Sequence, residues 1–190
     1  KTLKNSDAIL VPGGFGNRGI EGMILAVRFA RENKIPFFGI CLGLQIAIIE
    51  MTRNLLNLKD ANSTEFKPRT KNKVISLVTE WKNKDGTIEK RNKNSDKGGS
   101  MRLGAQKASL LTGSLARTLY KMKTIFERHR HRYEVNPEYI PMLEKEGLIV
   151  SARSEAHNLV EMIELRNHPW FLGCQFHPEF TSKPKTGHPL

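Results

Sequence analysis

Cysteine is scarce in this 190-residue chain, which has two, Cys41 and Cys174. Two thiols cannot build the disulfide framework of a small secreted domain, and a bond between them would silence any reactive thiol, so a reducing, cytoplasmic setting is expected. No apolar run approaches the roughly 18 residues of a membrane span, and no secretory leader is visible at Lys1. Acidic residues are outnumbered, 19 against 31 Lys and Arg, and the net charge of +12 raises nucleic acid or a polyphosphate as a partner. The bases are dispersed, however. Their densest stretch, residues 82–97, carries Asp85, Glu89 and Asp96 among its lysines and reads as a solvated face. Without a recognised nucleic-acid module, nucleic-acid binding is not expected. What is left is one globular domain, since a chain of this length buries roughly 70% of its unfolded surface. No internal repeat, low-complexity tract or linker divides it.

The apolar run at residues 8–11, closed by Pro12-Gly13-Gly14, predicts a parallel strand buried on both faces. Met23, Val27 and Ala30 recur at helical spacing over 20–33, with Arg28, Arg31 and Glu32 on the outer face. A second strand over 37–40 and a second, nearly apolar helix over 44–56 complete a βαβα order. That order is the signature of an α/β fold with a doubly wound, mostly parallel sheet flanked by helices. The middle differs. Residues 74–81 and 87–91, joined by Lys84-Asp85-Gly86, read as an additional antiparallel β-hairpin. Strands are predicted over 100–108, 124–134, 148–152, 159–165 and 171–176. Helices are predicted over 114–120, capped by Ser114, and over 137–147, with proline in the first turn and glycine at the end.

Gly39-Ile40-Cys41-Leu42-Gly43 puts a cysteine at the second strand-to-helix turn, a nucleophile elbow. Flanking glycines let the backbone fold tightly, and the helix start offers N–H groups and a positive dipole end that favour thiolate. A buried structural cysteine is the competing reading. Far downstream, Phe176-His177-Pro178-Glu179 sets an imidazole and a carboxylate two residues apart, so that in extended chain both address one side. A thiol nucleophile needs a base, and the base needs a group to orient it; Cys41, His177 and Glu179 are the three types required. Gly13-Gly14-Phe15-Gly16 ends the first strand and lacks the Gly-Lys-Ser/Thr of a phosphate loop. The N–H groups of Gly14 and Leu42 are the natural oxyanion donors, each worth about 3 to 4 kcal/mol in comparable sites.

The glycine loop, the Cys41 elbow and the distant His177 motif, in that order, resemble the class I, or triad, glutamine amidotransferase domain. Members of that family hydrolyse the side-chain amide of glutamine through a cysteinyl thioester and pass the ammonia to a partner active site. The segments at residues 57–66, 98–104 and 127–136 are similar to the branch that aminates UTP to CTP, and the likeness runs over nearly the whole chain. It implies Cys41 as nucleophile, His177 as base then acid, and Glu179 as its orienter. Glutamine would be held by Gly14, Gln45, Glu65, Arg132 and the backbone of Leu42, Gly43 and Leu44. A carboxylate for the ammonium and a guanidinium fork for the carboxylate suit a zwitterion, although a strand alternating Arg and His also fits an exposed, charge-paired face. Phe15 and Arg18 are the implied contacts of the effector GTP, an aromatic face and a guanidinium that suit a purine nucleotide.

The same resemblance implies that residues 1–190 are a glutaminase domain cut at both ends, with an exposed sheet edge. The synthetase domain that binds ATP, UTP and Mg²⁺ is not in the chain, and the whole enzyme is implied to be a homotetramer. No cofactor or metal is expected in this chain itself, which holds no kinase loop or Mg²⁺ carboxylate cluster. Two alternatives stay open: a γ-glutamyl hydrolase of the same fold, and a non-catalytic assembly module.

Overall fold

The computed structural model describes residues 2–77, 80–82, 88–90 and 101–190. A 3₁₀ turn at Thr2–Asn5 leads into β1 (Ile9–Val11), α1 (Ile20–Asn33), β2 (Phe37–Ile40) and α2 (Leu42–Asn54). There follow β3 (Asn62–Ser63), β4 (Lys73–Leu77), β5 (Glu80–Lys82), β6 (Ile88–Lys90), β7 (Arg102–Leu110) and α3 (Leu115–Tyr120). The last part holds β8 (Thr124–His131), β9 (Tyr133–Val135), α4 (Ile140–Lys145), β10 (Leu148–Ser154), β11 (Val160–Leu165) and β12 (Phe171–Cys174). Short 3₁₀ turns at Pro137–Tyr139 and Pro178–Phe180 precede α4 and follow β12.

The main sheet has seven strands in the order β1-β2-β12-β11-β10-β7-β8, with apolar clusters on both faces. The α/β class with flanking helices is as expected. The parallel share is smaller than expected: β1–β2 and β2–β12 are parallel, and the remaining pairings of this sheet are antiparallel. Loop length explains the difference. A parallel neighbour needs a crossover of a dozen or more residues, as α1 provides, whereas the short links from β10 to β11 and from β11 to β12 allow only a reversal.

Helix α1 buries Ile20, Ile24, Val27 and Ala30 along one stripe, and Lys34 closes it in the left-handed region at φ 54°. Arg31, expected on the outer face, instead reaches the buried Glu50 of α2 with two hydrogen bonds of 2.9 and 2.8 Å. Helix α2 is buried at every residue from Leu42 to Thr52 and packs between the main sheet and a small sheet of order β3-β4-β9. It starts two residues earlier than expected because the turn at Cys41 itself opens it. The predicted strand over 124–134 is broken at Arg132, where the chain leaves the main sheet as β8 and joins the small one as β9. The expected hairpin strand over 74–81 is divided: Lys73–Leu77 forms β4 in the small sheet, and the hairpin is β5 paired with β6, whose Asp85-Gly86 turn lies outside the described residues.

Glycine is required where α2 passes under β1. A Cβ on Gly43 would stand 2.2 Å from the Val11 carbonyl oxygen, and one on Gly39 would stand 2.6 Å from the Gly43 carbonyl carbon. Both obstacles are backbone and cannot swing aside. Gly43→Ala is therefore expected to cost about 3 kcal/mol, a fall in Tm of about 6–12 °C. Gly22→Ala, in open space on exposed α1, is expected to raise Tm slightly. Equal effects in thermal melts would contradict this packing.

Candidate functional site

Because β1, β2 and β12 run parallel, their C-terminal ends meet at one edge of the sheet, where α/β proteins form their crevices. From β1 comes the loop Gly13-Gly14-Phe15-Gly16, from β2 comes Cys41, and from β12 come His177 and Glu179. Cys41 holds φ 51° and ψ −99°, a strained turn, and its N–H donates to the Cys174 carbonyl at 2.7 Å. A Cβ on Gly13 would lie 2.8 Å from His177 Cε1 and 3.7 Å from Cys41 Cβ. Base and nucleophile thus flank the bare face of one glycine. His177 Nδ1 lies 2.6 Å from Glu179 Oε1, which places the ring proton on that nitrogen, and Phe180 stacks on the ring at 4.7 Å. His177 Nε2 is buried and has no hydrogen-bond partner among the described residues. It is the free basic atom of the site.

The thiol is held back. Burial pushes Cys41 up to about 12, against the pull of the Leu42 N–H, with Glu134 and Glu179 adding to the rise and the Gln175 amide opposing it. Cys174 is fully buried in the same apolar cluster as Cys41 and is also raised by burial. The ligand-free protein therefore keeps Cys41 as a thiol until a base takes its proton.

Beside the thiol lies a cavity of about 210 Å³ lined by Gly14, Cys41, Gln45, Glu65 and Arg132. It is smaller than the roughly 300 Å³ at the low end of drug-sized pockets, which suits a small polar molecule. With Phe15 at the rim, six of the sequence-predicted site residues are thus brought together. Glu65 reaches it from the link between β3 and β4 and accepts the Gly16 N–H at 3.0 Å. Its carboxyl is raised by burial, against the pull of that N–H and of the Arg132 charge. Arg132 sits at the bend between the two sheets, and its Nε is buried without a hydrogen-bond partner among the described residues. Leu42 is the first residue of α2, where the opening N–H groups have no intrahelical acceptor, and it touches Gly14: a Cβ there would meet Leu42 Cδ2 at 3.1 Å. Gly43 and Leu44 are buried in the same turn and do not line the cavity. Phe15 lines its rim, 60% exposed, with the Arg130 guanidinium 5.8 Å from its ring centroid. Arg18 is exposed and outside it.

Met101, His131 and Tyr133 also line the cavity and were not singled out from the sequence. Nor was Gln175, whose Nε2 donates to Cys41 Sγ at 3.7 Å. The alternation of Arg and His resolves into two faces. Arg128 and Arg130 are exposed, while His129 and His131 point inward with Glu127. There Arg102 bridges Glu134 at 3.1 Å and Glu161 at 2.6 Å. Among the described residues no group of three His, Cys, Asp or Glu is placed to hold a metal ion, and no helix is long and apolar enough to cross a membrane.

A family model described as glutamine amidotransferase class-I matches residues 1–190. The solved glutaminase domain of Trypanosoma brucei CTP synthase, with bound acivicin, is 40% identical, with 99% of this chain and 69% of that one covered at a TM-score of 0.87. At the level of fold alone, a glutamine amidotransferase from Methylobacillus flagellatus aligns at 14% identity, 93% and 53% coverage and a TM-score of 0.56. Another, from Thermotoga maritima, aligns at 13%, 90% and 56%, and 0.51.

The raised thiol has a measurable sign. In the folded, ligand-free protein at pH 8, iodoacetamide is expected to label Cys41 at least about tenfold more slowly than in the urea-unfolded chain. Folding should become less favourable as pH climbs through the unfolded thiol value of 9.0. Fast labelling at neutral pH, read by mass spectrometry, would show a thiolate at rest instead.

Proposed function

The chain belongs to the class I glutamine amidotransferase family, and from that premise we propose that it is the glutaminase part of a CTP synthase. It would hydrolyse L-glutamine to glutamate and ammonia for the ATP-dependent amination of UTP. The observation that carries the reading is one cavity in which a nucleophilic thiol, an acidic side chain and a guanidinium whose buried Nε has no hydrogen-bond partner among the described residues meet. The first cleaves an amide; the other two fit the ammonium and carboxylate of an α-amino acid. The 40% identity to a CTP synthase glutaminase domain supports the finer assignment.

In this mechanism Cys41 Sγ attacks the side-chain amide carbon while its proton moves to His177 Nε2. The N–H groups of Gly14 and Leu42 face the oxyanion. His177 returns the proton to the departing nitrogen, the C–N bond breaks and ammonia leaves a thioester on Cys41. Water, deprotonated by the same Nε2, then cleaves the thioester to give glutamate and restore the thiol. Glu179 holds Nδ1–H throughout, so one imidazole atom serves both half-reactions. The synthetase domain with ATP, UTP and Mg²⁺, activation by GTP at Phe15 and Arg18, a homotetramer and a cytoplasmic location belong to the same proposal.

Cys41→Ala is expected to lower glutamine hydrolysis by at least about 10³-fold and to remove the single adduct expected on this residue after treatment with a glutamine-like electrophile, read by mass spectrometry. Near wild-type turnover would refute the proposal, and preference for γ-glutamyl peptides over free glutamine would redirect it to a hydrolase. Arg132→Met is expected to raise KM at least about tenfold with a smaller change in kcat, as for a group that binds ground and transition states alike.

A further inference from the structure

Behind the cavity wall, hydrogen-bond directions can be followed atom by atom to the sulfur of Cys41. His131 Nδ1 faces two acceptors, the Tyr133 carbonyl at 3.1 Å and Glu134 Oε1 at 3.4 Å, so this nitrogen carries the proton. Its Nε2 is then an acceptor, and His129 Nδ1, 3.0 Å away, is the donor. The lone pair on His129 Nε2 faces the otherwise unpartnered Glu161 Oε2 at 3.2 Å, a contact that needs a proton between them. Burial and the Arg102 charge keep both imidazoles neutral, and burial pushes Glu161 up to about 7. A neutral, tautomer-locked pair therefore backs the Tyr133 carbonyl.

That carbonyl also accepts from Gln45 Nε2 at 3.0 Å, and the second N–H of the same amide reaches Gln175 Oε1 at 3.2 Å. With its oxygen committed as an acceptor, the Gln175 amide presents Nε2 to Cys41 Sγ at 3.7 Å. Turning the amide over would set N–H against N–H at Gln45 and an oxygen lone pair against the sulfur. The Gln175 backbone N–H is anchored to the Glu161 carbonyl at 2.8 Å, which closes the circuit. Both Gln45 and Gln175 are buried, so a lost partner leaves an amide group unsatisfied at a cost.

We propose that Gln175 is a further catalytic residue, an N–H donor to the Cys41 sulfur that stabilises the thiolate as its proton passes to His177 Nε2. Gln45, the Tyr133 carbonyl, His131 and His129 are positioning groups that hold the Gln175 amide in its one productive orientation. The inference rests on the glutaminase reading. The donor matters because the other groups facing the sulfur do little for its negative charge. Glu134 on β9 and Glu179 after β12 carry or develop the same sign, and Cys174 on β12 is a neutral thiol. Besides the base His177, the Leu42 N–H and the Gln175 amide are the donors that favour the thiolate.

Iodoacetamide labelling of Cys41 in the intact protein, followed by mass spectrometry from pH 7 to 9, tests the assignment. Gln175→Met keeps the side chain's length and removes its donor. It is expected to slow labelling about tenfold at each pH, with kcat for glutamine falling in step and KM little changed. Gln175→Glu, which sets a carboxyl oxygen against the sulfur, is expected to slow labelling further. Labelling of Gln175→Met at the wild-type rate overturns the proposal, and so does faster labelling, which is what looser packing alone would produce. If Gln175→Met does not fold by circular dichroism, Gln45→Met decides, since it frees the Gln175 amide to turn. Its labelling is expected to slow about threefold, and an unchanged rate overturns the proposal. A wild-type protein that labels in this pattern yet hydrolyses no glutamine upholds the donor and refutes the glutaminase reading. Glutamine turnover with no dependence on Gln175 does the reverse.

Discussion

The first turn of α2 lies against the end of β1 at backbone distance, and the rest of the site hangs on that contact. Only bare Cα atoms at Gly39 and Gly43 let the helix begin directly beneath the strand ends. That start forces Cys41 into a turn of φ 51°, a strain of about 1–3 kcal/mol. The opposing term is larger. Leu44, Ile46, Ile48, Ile49 and Met51 of the same helix are completely buried, each worth about 1.5–3 kcal/mol, so the helix holds the strained residue in place.

With α2 fixed, the parallel trio β1, β2 and β12 delivers the glycine loop, the thiol and the base to one edge, while the link between β3 and β4 brings Glu65 and the bend between β8 and β9 brings Arg132. The two groups of strands are joined by a layer that is polar although buried. Arg102 on β7 binds Glu134 on β9 and Glu161 on β11, spanning both sheets at the bend where Arg132 turns into the cavity. Apolar residues of equal volume could be as stable or more so. What charges and imidazoles add is direction, because each hydrogen bond dictates which atom of the next group is donor and which acceptor. Near Cys41 burial, helped by the charges of Glu134 and Glu179, holds the thiol in its protonated form, so reactivity waits for the base and a ligand.

Local chemistry was readable wherever the information lies within a few residues. The bounds of α1 and β2 follow from spacing and end residues, and the Ser114 cap bonds the Arg117 N–H as its type predicts. Cys41, His177 and Glu179 were legible because thiol chemistry limits the residue types and a turn or an i, i+2 spacing limits their places. The same alternation contained Gln175, which stands two residues before His177 and shares its side of an extended chain. It went unassigned because an amide has no chemistry of its own to announce. The inward faces of His129 and His131 were likewise implicit in a period of two, but which face is inside depends on the sheet they join.

From the sequence alone came the α/β class, the elbow, its base and orienter, and the resemblance that names glutamine. The tertiary structure decided that most of the sheet is antiparallel, that one predicted strand changes sheets at Arg132, that Glu65 and Arg132 share a cavity with the thiol, and that Gln175 touches its sulfur. The division has a physical cause. Turns, caps and periodicity are set by neighbours along the chain, whereas strand partners and the direction of a buried hydrogen bond are set by residues such as Cys41 and Gln175, which only folding brings within reach of each other.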